Sequence, residues 1–493
     1  MPAAPSAHAR VWALLLGSSL LHFFTINDAD NDLWGHVLFG RDILAAGAIP
    51  RVDTYAYTTA GHAWFNHEWL SQVVMASTYA RAGSLGLLLL KLAVAVATCA
   101  LLFGLVRRRT VIAPIWGGLG VLTIAVLARG FAIRPQIFTY WGVALTLWLI
   151  DQYQHYRPRA LWTFPAVFLV WANVHGGFAL GLAILGLFVA AECVRMRGLA
   201  VQPLIVLAAS IAVTALNPYG PRLLGYIWNE LSRAHPITEW QPVAAGDVSQ
   251  LVFFAMAGLL VVTLPFFRGW RQHGWQPALA LIMGMLALRH QRHTPVFALC
   301  AVAPLAAQLD EAARWLALRS TLKLSAVSLR LIALGLAGVA TLQLAQTGLR
   351  WQHDGLQIVF DPAEYPVAAV RAMRRAGMHA NLVVPLDWGE YVLWFLAPDV
   401  KVSLDGRFAT VFPEQVVIDN FEFFTGATGW RRLIENYPTD AALVPANSLS
   451  PIRRLAGWER VYGDDIAEVY MRTERAASIQ LAGVPGEVTG FFP

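Results

Sequence analysis

Asp28-Ala29-Asp30-Asn31-Asp32-Leu33-Trp34-Gly35-His36 follows directly on the apolar run Val11–Ile26 and leads into a polar, aromatic-rich loop ending at Asn66-His67-Glu68-Trp69. Carboxylates and histidines are thus placed beside a stretch able to enter a bilayer. Charge at the edge of hydrocarbon is costly and persists where it is solvated, paired or used. The rest of the chain decides whether other polar groups share that side of a membrane.

The 493 residues are 57% hydrophobic and 14% charged, with a mean hydropathy of +0.51. A soluble domain carries about 25% charged residues, so the chain reads as a polytopic helical membrane protein. Apolar runs recur from Val11 to about Ala345, leaving one sizeable soluble segment after them. The net charge of +6 comes from scattered Arg, with no basic stripe interleaved with aromatics, which excludes nucleic acid as a partner. Cys99, Cys193 and Cys300 lie in apolar runs without CxxC spacing, so neither a disulfide framework nor a zinc site is expected. No small-residue cleavage site follows Val11–Leu21, and the N-terminus reads as a retained span or signal anchor.

About eleven spans are expected: Val11–Ile26, Leu85–Val106, Val111–Ala128, Ile137–Ile150, Leu161–Ala172, Phe178–Ala191, Ala200–Leu216, Leu251–Phe267, Gln276–Leu288, Pro295–Leu309 and Leu329–Ala345. Several fall short of the roughly 20 residues that a straight span needs. One set of loops is short and basic: Arg107 to Arg109, Arg157 to Arg159, Arg195 to Arg197, Arg268 to Arg271, and Arg314 to Arg330. By the positive-inside rule these are cytoplasmic, as is the N-terminus. Residues 27–84, 129–136, 173–177, 217–250 and 289–294, and everything after about Gln346, are then extracytoplasmic. Nearly all the unusual polar residues fall in that second set.

The first outer loop suits two interfacial helices, one over His36 to Ala46 and one over Glu68 to Tyr79, with Trp64, Phe65 and Trp69 in the aromatic belt. The expected organisation is a membrane domain over 1–348 that includes loop 27–84, a soluble α/β domain over 349–475, and a loose tail over 476–493. In the α/β domain strands are expected at Asn381–Leu386, Val400–Leu404 and Ala441–Val444. Helices are expected at Glu364–Gly377, where Arg371, Arg374 and Arg375 form a polar face, and at Tyr391–Leu396, Phe412–Phe424 and Trp430–Tyr437. The alternation suggests a mainly parallel sheet, closed by a hairpin over Trp458–Met471.

Asp30 and Asp32 share a side if their segment is extended. Such a pair can hold a divalent ion, Mg or Mn, or one can take a proton from an acceptor hydroxyl; the plain alternative is an N-cap cluster. His67 or Glu68 can complete a proton-transfer or metal site, or merely open a helix capped by Asn66. Arg129, Arg134, Arg289, His290, Arg292 and His293 stand in outer loops against the positive-inside trend, where they suit a substrate phosphate or lipid headgroups. His175, in the turn Asn173-Val174-His175-Gly176-Gly177, either faces the site or only closes a turn. Glu239-Trp240 can meet a sugar or simply sit at the interface. Lys91, inside the second span, reads as structural. Asp387-Trp388-Gly389-Glu390 and Asp405-Gly406-Arg407 follow expected strands, where open α/β sheets bind ligands, although turn chemistry explains Asp-Gly as well. No P-loop, GxSxG, HExxH or GxGxxG signature stands in a usable context, which disfavours a nucleotide-driven pump, a serine hydrolase or a zinc protease.

The acidic motif Asp30-Asn31-Asp32-Leu33-Trp34-Gly35-His36, the following Gly40, the long first outer loop and His67-Glu68-Trp69-Leu70 before span two resemble the GT-C superfamily of membrane glycosyltransferases. That group includes protein O-mannosyltransferases and lipid A aminoarabinose transferases. A set of bacterial membrane proteins with a DxDxWxH motif and a C-terminal outer α/β domain is similar too. The resemblance implies sugar transfer from a polyprenyl-phosphate donor to a glycan, lipid or protein acceptor at the outer face of an inner (plasma) membrane. It implies Asp32 as the base, with Asp30 as the alternative, His36 among the substrate-binding residues, and Arg134, or Arg289 and Arg292, on the leaving lipid phosphate. Glu68-Trp69 stands where the O-mannosyltransferases carry two prolines, so their donor and acceptor do not carry over. Two other readings stay open: a transporter or flippase of a lipid-linked or anionic substrate, and a non-catalytic envelope assembly protein acting through the tail.

Overall fold

In the computed structural model the chain divides into two compact units, residues 1–27 with 88–356 and residues 28–87 with 357–493. The structure describes residues 7–231, 238–244, 246–319, 325–477, 479, 481 and 490–493. Part of the basic segment 314–330, part of the outer loop 217–250 and most of the expected tail lie outside the described residues.

In the first unit each expected span coincides with a helix: Ala7–Phe24, the second half of Trp69–Arg109, Ala113–Ala128, Gln136–His155, Phe164–Val174, Phe178–Met196, Val201–Val213, Leu251–Thr263, Trp275–Arg289, Thr294–Arg319 and Ala326–Asp354. The short expected span Leu161–Ala172 is extended at its start by a 3₁₀ turn, Pro158–Thr163, and a second 3₁₀ turn, Leu264–Phe266, follows the helix Leu251–Thr263 within the expected span. Among the described residues, five helices are individually long and apolar enough to cross a membrane. Thr294–Arg319 has 72% of its apolar window buried and forms the centre, whereas Ala326–Asp354 has 6% and is peripheral. Its length and apolar surface are those of a helix able to cross a membrane.

Small residues let these helices approach closely. A Cβ at Gly117 would lie 2.4 Å from the Trp12 ring, and one at Gly120 would lie 2.5 Å from Leu16. Trp171 is gripped in the same way between Gly142 and Gly181. Lys91 is buried and donates to the Ile26 carbonyl, which gives it the structural role expected of it. Acidic residues near the basic loops are paired: Asp151 with Arg108 and Arg109, Glu192 with Arg195, and Asp310 with Arg314.

The helix Trp69–Arg109 breaks at Gly83, with φ 55° and ψ −147°. That conformation is open essentially to glycine alone. The break separates the helix expected before span two from the span itself.

The second unit holds a five-stranded sheet: β1 (Ala380–Val383), β2 (Val400–Val402), β3 (Ala441–Pro445), β4 (Trp458–Gly463) and β5 (Ala467–Arg472), in the order β2-β1-β3-β5-β4. The pairs β2-β1 and β1-β3 are parallel, while β3-β5 and β5-β4 are antiparallel. The sheet is therefore mixed rather than mainly parallel, because the C-terminal hairpin joins it instead of capping it. Central β1 and β3 are almost wholly buried, as strands covered on both faces must be, and edge strand β4 is exposed and charged at Glu459 and Arg460.

Most of the first loop belongs to this unit. Tyr55 and Tyr57 exchange backbone hydrogen bonds with Val402 at 3.1 Å each, so the loop adds a parallel bridge at the β2 edge. Asp28 bridges Val359, which also bridges Phe491; the Phe492 amide donates to the Ile358 carbonyl at 2.8 Å. Residues 490–492 are thus held, contrary to the expected loose tail, because Phe492 is buried against Trp34, Tyr79 and Trp394. The loop helix runs Leu33–Ala46, and its residues from Leu33 to Gly40 are all buried. It is a core helix of this unit in its first half rather than one lying on a lipid interface, and Trp64, expected in the aromatic belt, is 2% exposed. Trp34 is fully buried among Phe360, Tyr365, Tyr391 and Phe492, at ring distances of 5.0–5.6 Å.

Candidate functional site

The acidic motif is shaped by its own backbone. Asp30 Oδ1 accepts the Asp32 amide at 3.0 Å, the Asp30 carbonyl accepts the Leu33 amide, and Asp32 stands at the N-cap of Leu33–Ala46. The Asp32 side chain makes no capping hydrogen bond. Its carboxylate is directed instead toward Gly406: a Cβ there would meet Asp32 Oδ1 at 2.3 Å and Glu390 Oε1 at 2.7 Å. Glu390 Oε2 accepts the Gly35 amide at 2.9 Å, and a Cβ on Gly35 would meet that carboxyl at 2.1 Å. Gly389 lies as closely on the backbone of Leu404 and Asp405. Three short motifs, Asp28–His36, Asp387–Glu390 and Asp405–Arg407, therefore converge, and each places glycine where backbone and carboxylates must nearly touch.

The buried cation in this cluster is paired, and the buried carboxyls beside it are pushed toward their neutral form. Arg407 is buried and donates to Asp53 at 2.6 Å and to Asp405 at 2.7 and 2.8 Å. Its guanidinium also lies 4.8–5.8 Å from the ring centres of Trp64, Tyr55, Phe39 and Phe412. Asp53 further accepts the Tyr55 and Ala56 amides and the Thr59 hydroxyl. Burial would lower the basicity of Arg407, but the two carboxylates more than offset it and hold the group charged. Burial pushes the Glu390 carboxyl well above the usual carboxylate range, and Asp32 and Asp405 push it further, against Arg407 and the Gly35 amide. Burial raises Asp387 too, opposed by a hydrogen bond from Asn31 and supported by Asp30.

His67 and Glu68 lie in the same unit. His67 Nε2 is 3.8 Å from Glu68 Oε1, and its Nδ1 is 3.3 Å from the Phe65 carbonyl. Asn66 donates to Gln72 at 2.7 Å, bracing the start of the helix that begins at Trp69. His36 is buried inside Leu33–Ala46.

The remaining candidates form groups in the first unit. Arg134 pairs with Glu239 at 2.8 Å, so that each neutralises the other. Arg129 donates to the Ser249 carbonyl at 2.7 Å and lies 4.0 Å from Asp247. Trp240 is a hub: its carbonyl meets His290 Nδ1 at 2.6 Å, and the Arg292 guanidinium covers its ring at 4.5 Å. His293 is held down to about 4 by burial and by the neighbouring Arg292 and His290. Arg289 is exposed at the end of Trp275–Arg289. His175 Nδ1 lies 2.9 Å from the Gly177 amide, which can only donate, so Nδ1 is an acceptor; Thr139 Oγ1 is 2.8 Å from the same atom. That network closes the turn.

No protein-family model matches the sequence, and no curated relative does either. Two solved structures of ArnT from Cupriavidus metallidurans do match in fold. The apo state gives a TM-score of 0.55 over 98% of this chain and 100% of that one. The form bound to undecaprenyl phosphate gives 0.52 over 97% and 99%; both are 14% identical in sequence. The chain has the fold of ArnT.

The sequence resemblance directs attention to the acidic motif beside span one. What sequence reasoning missed is its partners within the second unit. Glu390, Asp405 and Arg407 were visible only as turn-like motifs after strands, and Asp53 carried no local signal. Among the described residues no group of three or more His, Cys, Asp or Glu is arranged to hold a metal ion.

Proposed function

We propose that the chain is a membrane glycosyltransferase moving a sugar from a polyprenyl-phosphate donor to an acceptor hydroxyl at the extracytoplasmic face. The observation that carries this reading is the fold match along nearly the whole chain to ArnT, one of whose solved forms holds undecaprenyl phosphate. The local chemistry agrees with it. Asp32 stands at an N-cap position with its carboxylate toward Gly406, beside a Glu390 whose carboxyl burial pushes well above the usual carboxylate range.

In the proposed reaction Asp32 takes the proton of the acceptor hydroxyl. The acceptor oxygen attacks the anomeric carbon as the bond from that carbon to the donor phosphate breaks, and the bonding pair leaves with the phosphate oxygen. The configuration inverts, and the departing lipid phosphate needs only positive charge to hold it. Purified protein incubated with labelled polyprenyl-phosphate sugars, with and without chelator, tests the reading. Transfer of one sugar in both conditions supports it, and no transfer with any donor in the panel would count against it.

A further inference from the structure

The helix Val367–Arg375 carries its arginines on one side of a hollow that the reaction above does not use. Within the second unit, a cavity of about 290 Å³ is walled by Phe360, Val370, Tyr391 and Phe395, with Arg371 and Arg374 on its lining. The two arginines are three residues apart and so share one helix face. Arg371 is half-buried and Arg374 exposed. Among the described residues no carboxylate pairs with either, whereas Arg407, Arg432, Arg453 and Arg460 of the same unit all have acidic partners.

We propose that this cavity binds a small anionic amphiphile, with its phosphate or carboxylate head on Arg371 and Arg374 and its apolar body against the aromatic wall. The guanidinium fork matches either oxyanion bidentately. Beyond the two arginines the lining is largely aromatic and aliphatic, Phe491 and Pro493 included, and the volume lies near the lower end of the roughly 300–1,000 Å³ of small-molecule pockets. A neutral apolar compound would leave the cations unused, and a free anion would leave the hollow unfilled. This binding is independent of the transfer reaction.

The test is equilibrium dialysis of radiolabelled decanoate and decyl phosphate against the full-length protein in amphipol, with empty amphipol as blank. Saturable one-to-one binding of either compound is expected, and the preferred compound identifies the head. The double variant Arg371→Gln/Arg374→Gln, and Arg374→Gln alone, should bind it at least about tenfold more weakly, since a hydrogen bond to a charged group is worth about 1.5–3 kcal/mol. Arg374 is exposed, so its replacement leaves the fold intact. Arg375→Gln, which removes the same charge outside the lining, should bind as wild type does. Absence of saturable binding, equal affinity for decanol, equal affinity for inorganic phosphate, or an equal loss in Arg375→Gln would each overturn the proposal.

Discussion

Glu390 accepts the backbone amide of Gly35 at 2.9 Å, joining a residue of the C-terminal segment to the acidic motif that follows the first span. Neither residue tolerates enlargement of the other, because a Cβ on Gly35 would fall on the carboxyl. At pH 5, where the folded wild type holds the Glu390 proton, Glu390→Gln keeps the shape and an acceptor oxygen and should unfold within a few tenths of a kcal/mol of wild type. Glu390→Ala leaves a buried amide without its acceptor and should cost about 1–3 kcal/mol. Thermal unfolding followed by tryptophan fluorescence separates the two; equal losses would show that the hydrogen bond contributes nothing.

The same residue makes stability depend on pH in a definite direction. Its carboxyl titrates near 4.5 when free and well above that in the folded protein, chiefly through burial. Between those values the folded protein holds a proton that the unfolded chain has released, so raising the pH through this window lowers stability. Wild type should therefore lose stability relative to Glu390→Gln between pH 5 and pH 8. A difference that stays constant, or reverses sign, would place the charge elsewhere.

Arg407 is an internal cation shared by Asp53 and Asp405 and surrounded by four aromatic rings. Removing one member of a buried ionic group strands the others, at a cost of about 3–5 kcal/mol. Arg407→Ala should fall in that range. Arg407→Lys should recover only part of it, because one ammonium cannot reproduce the bidentate fork. Denaturant unfolding of both variants checks this, and an Arg407→Lys protein as stable as wild type would mean that the fork geometry is unimportant.

Gly83 turns the chain between the helix of the second unit and the second span, in a backbone region closed to side chains. The surrounding space is open, so Gly83→Ala meets only backbone strain, about 1–3 kcal/mol. Gly86→Ala is a comparison of another kind, since its Cβ would press on Thr78 and Ala82 at 2.9 Å. Melting temperatures of the two variants report the two costs, and a neutral Gly83→Ala would show that the break is not held by glycine.

The spans were legible because each is a continuous apolar run, and such a run specifies burial in lipid without reference to any partner. The strands β1, β2 and β3 were legible for a similar local reason. The allegiance of the first loop was not. Trp64 read as interfacial, since an aromatic beside a span has the same local signature whether it meets a headgroup or Phe39 and Tyr55. The hydrogen bond from Gly35 to Glu390 spans 355 positions, and no periodicity encodes a contact of that length. Asp53 lacked any motif, and its role became visible only once Arg407 lay beside it. The outer arginines were identified as unusual, but charge counting could not reveal that Arg134 faces Glu239.

The central claim is that the carboxylate of Asp32 takes the acceptor proton. Its most direct test is transfer of labelled sugar from a polyprenyl-phosphate donor by Asp32→Asn, compared with Asp30→Asn and wild type at equal folded protein. Asp32→Asn keeps the size of the side chain and removes the base, so its turnover should fall by about 10²–10⁴-fold. Asp30→Asn keeps a side-chain oxygen for the Asp32 amide and should retain a substantial share of activity. Full turnover in Asp32→Asn would contradict the account.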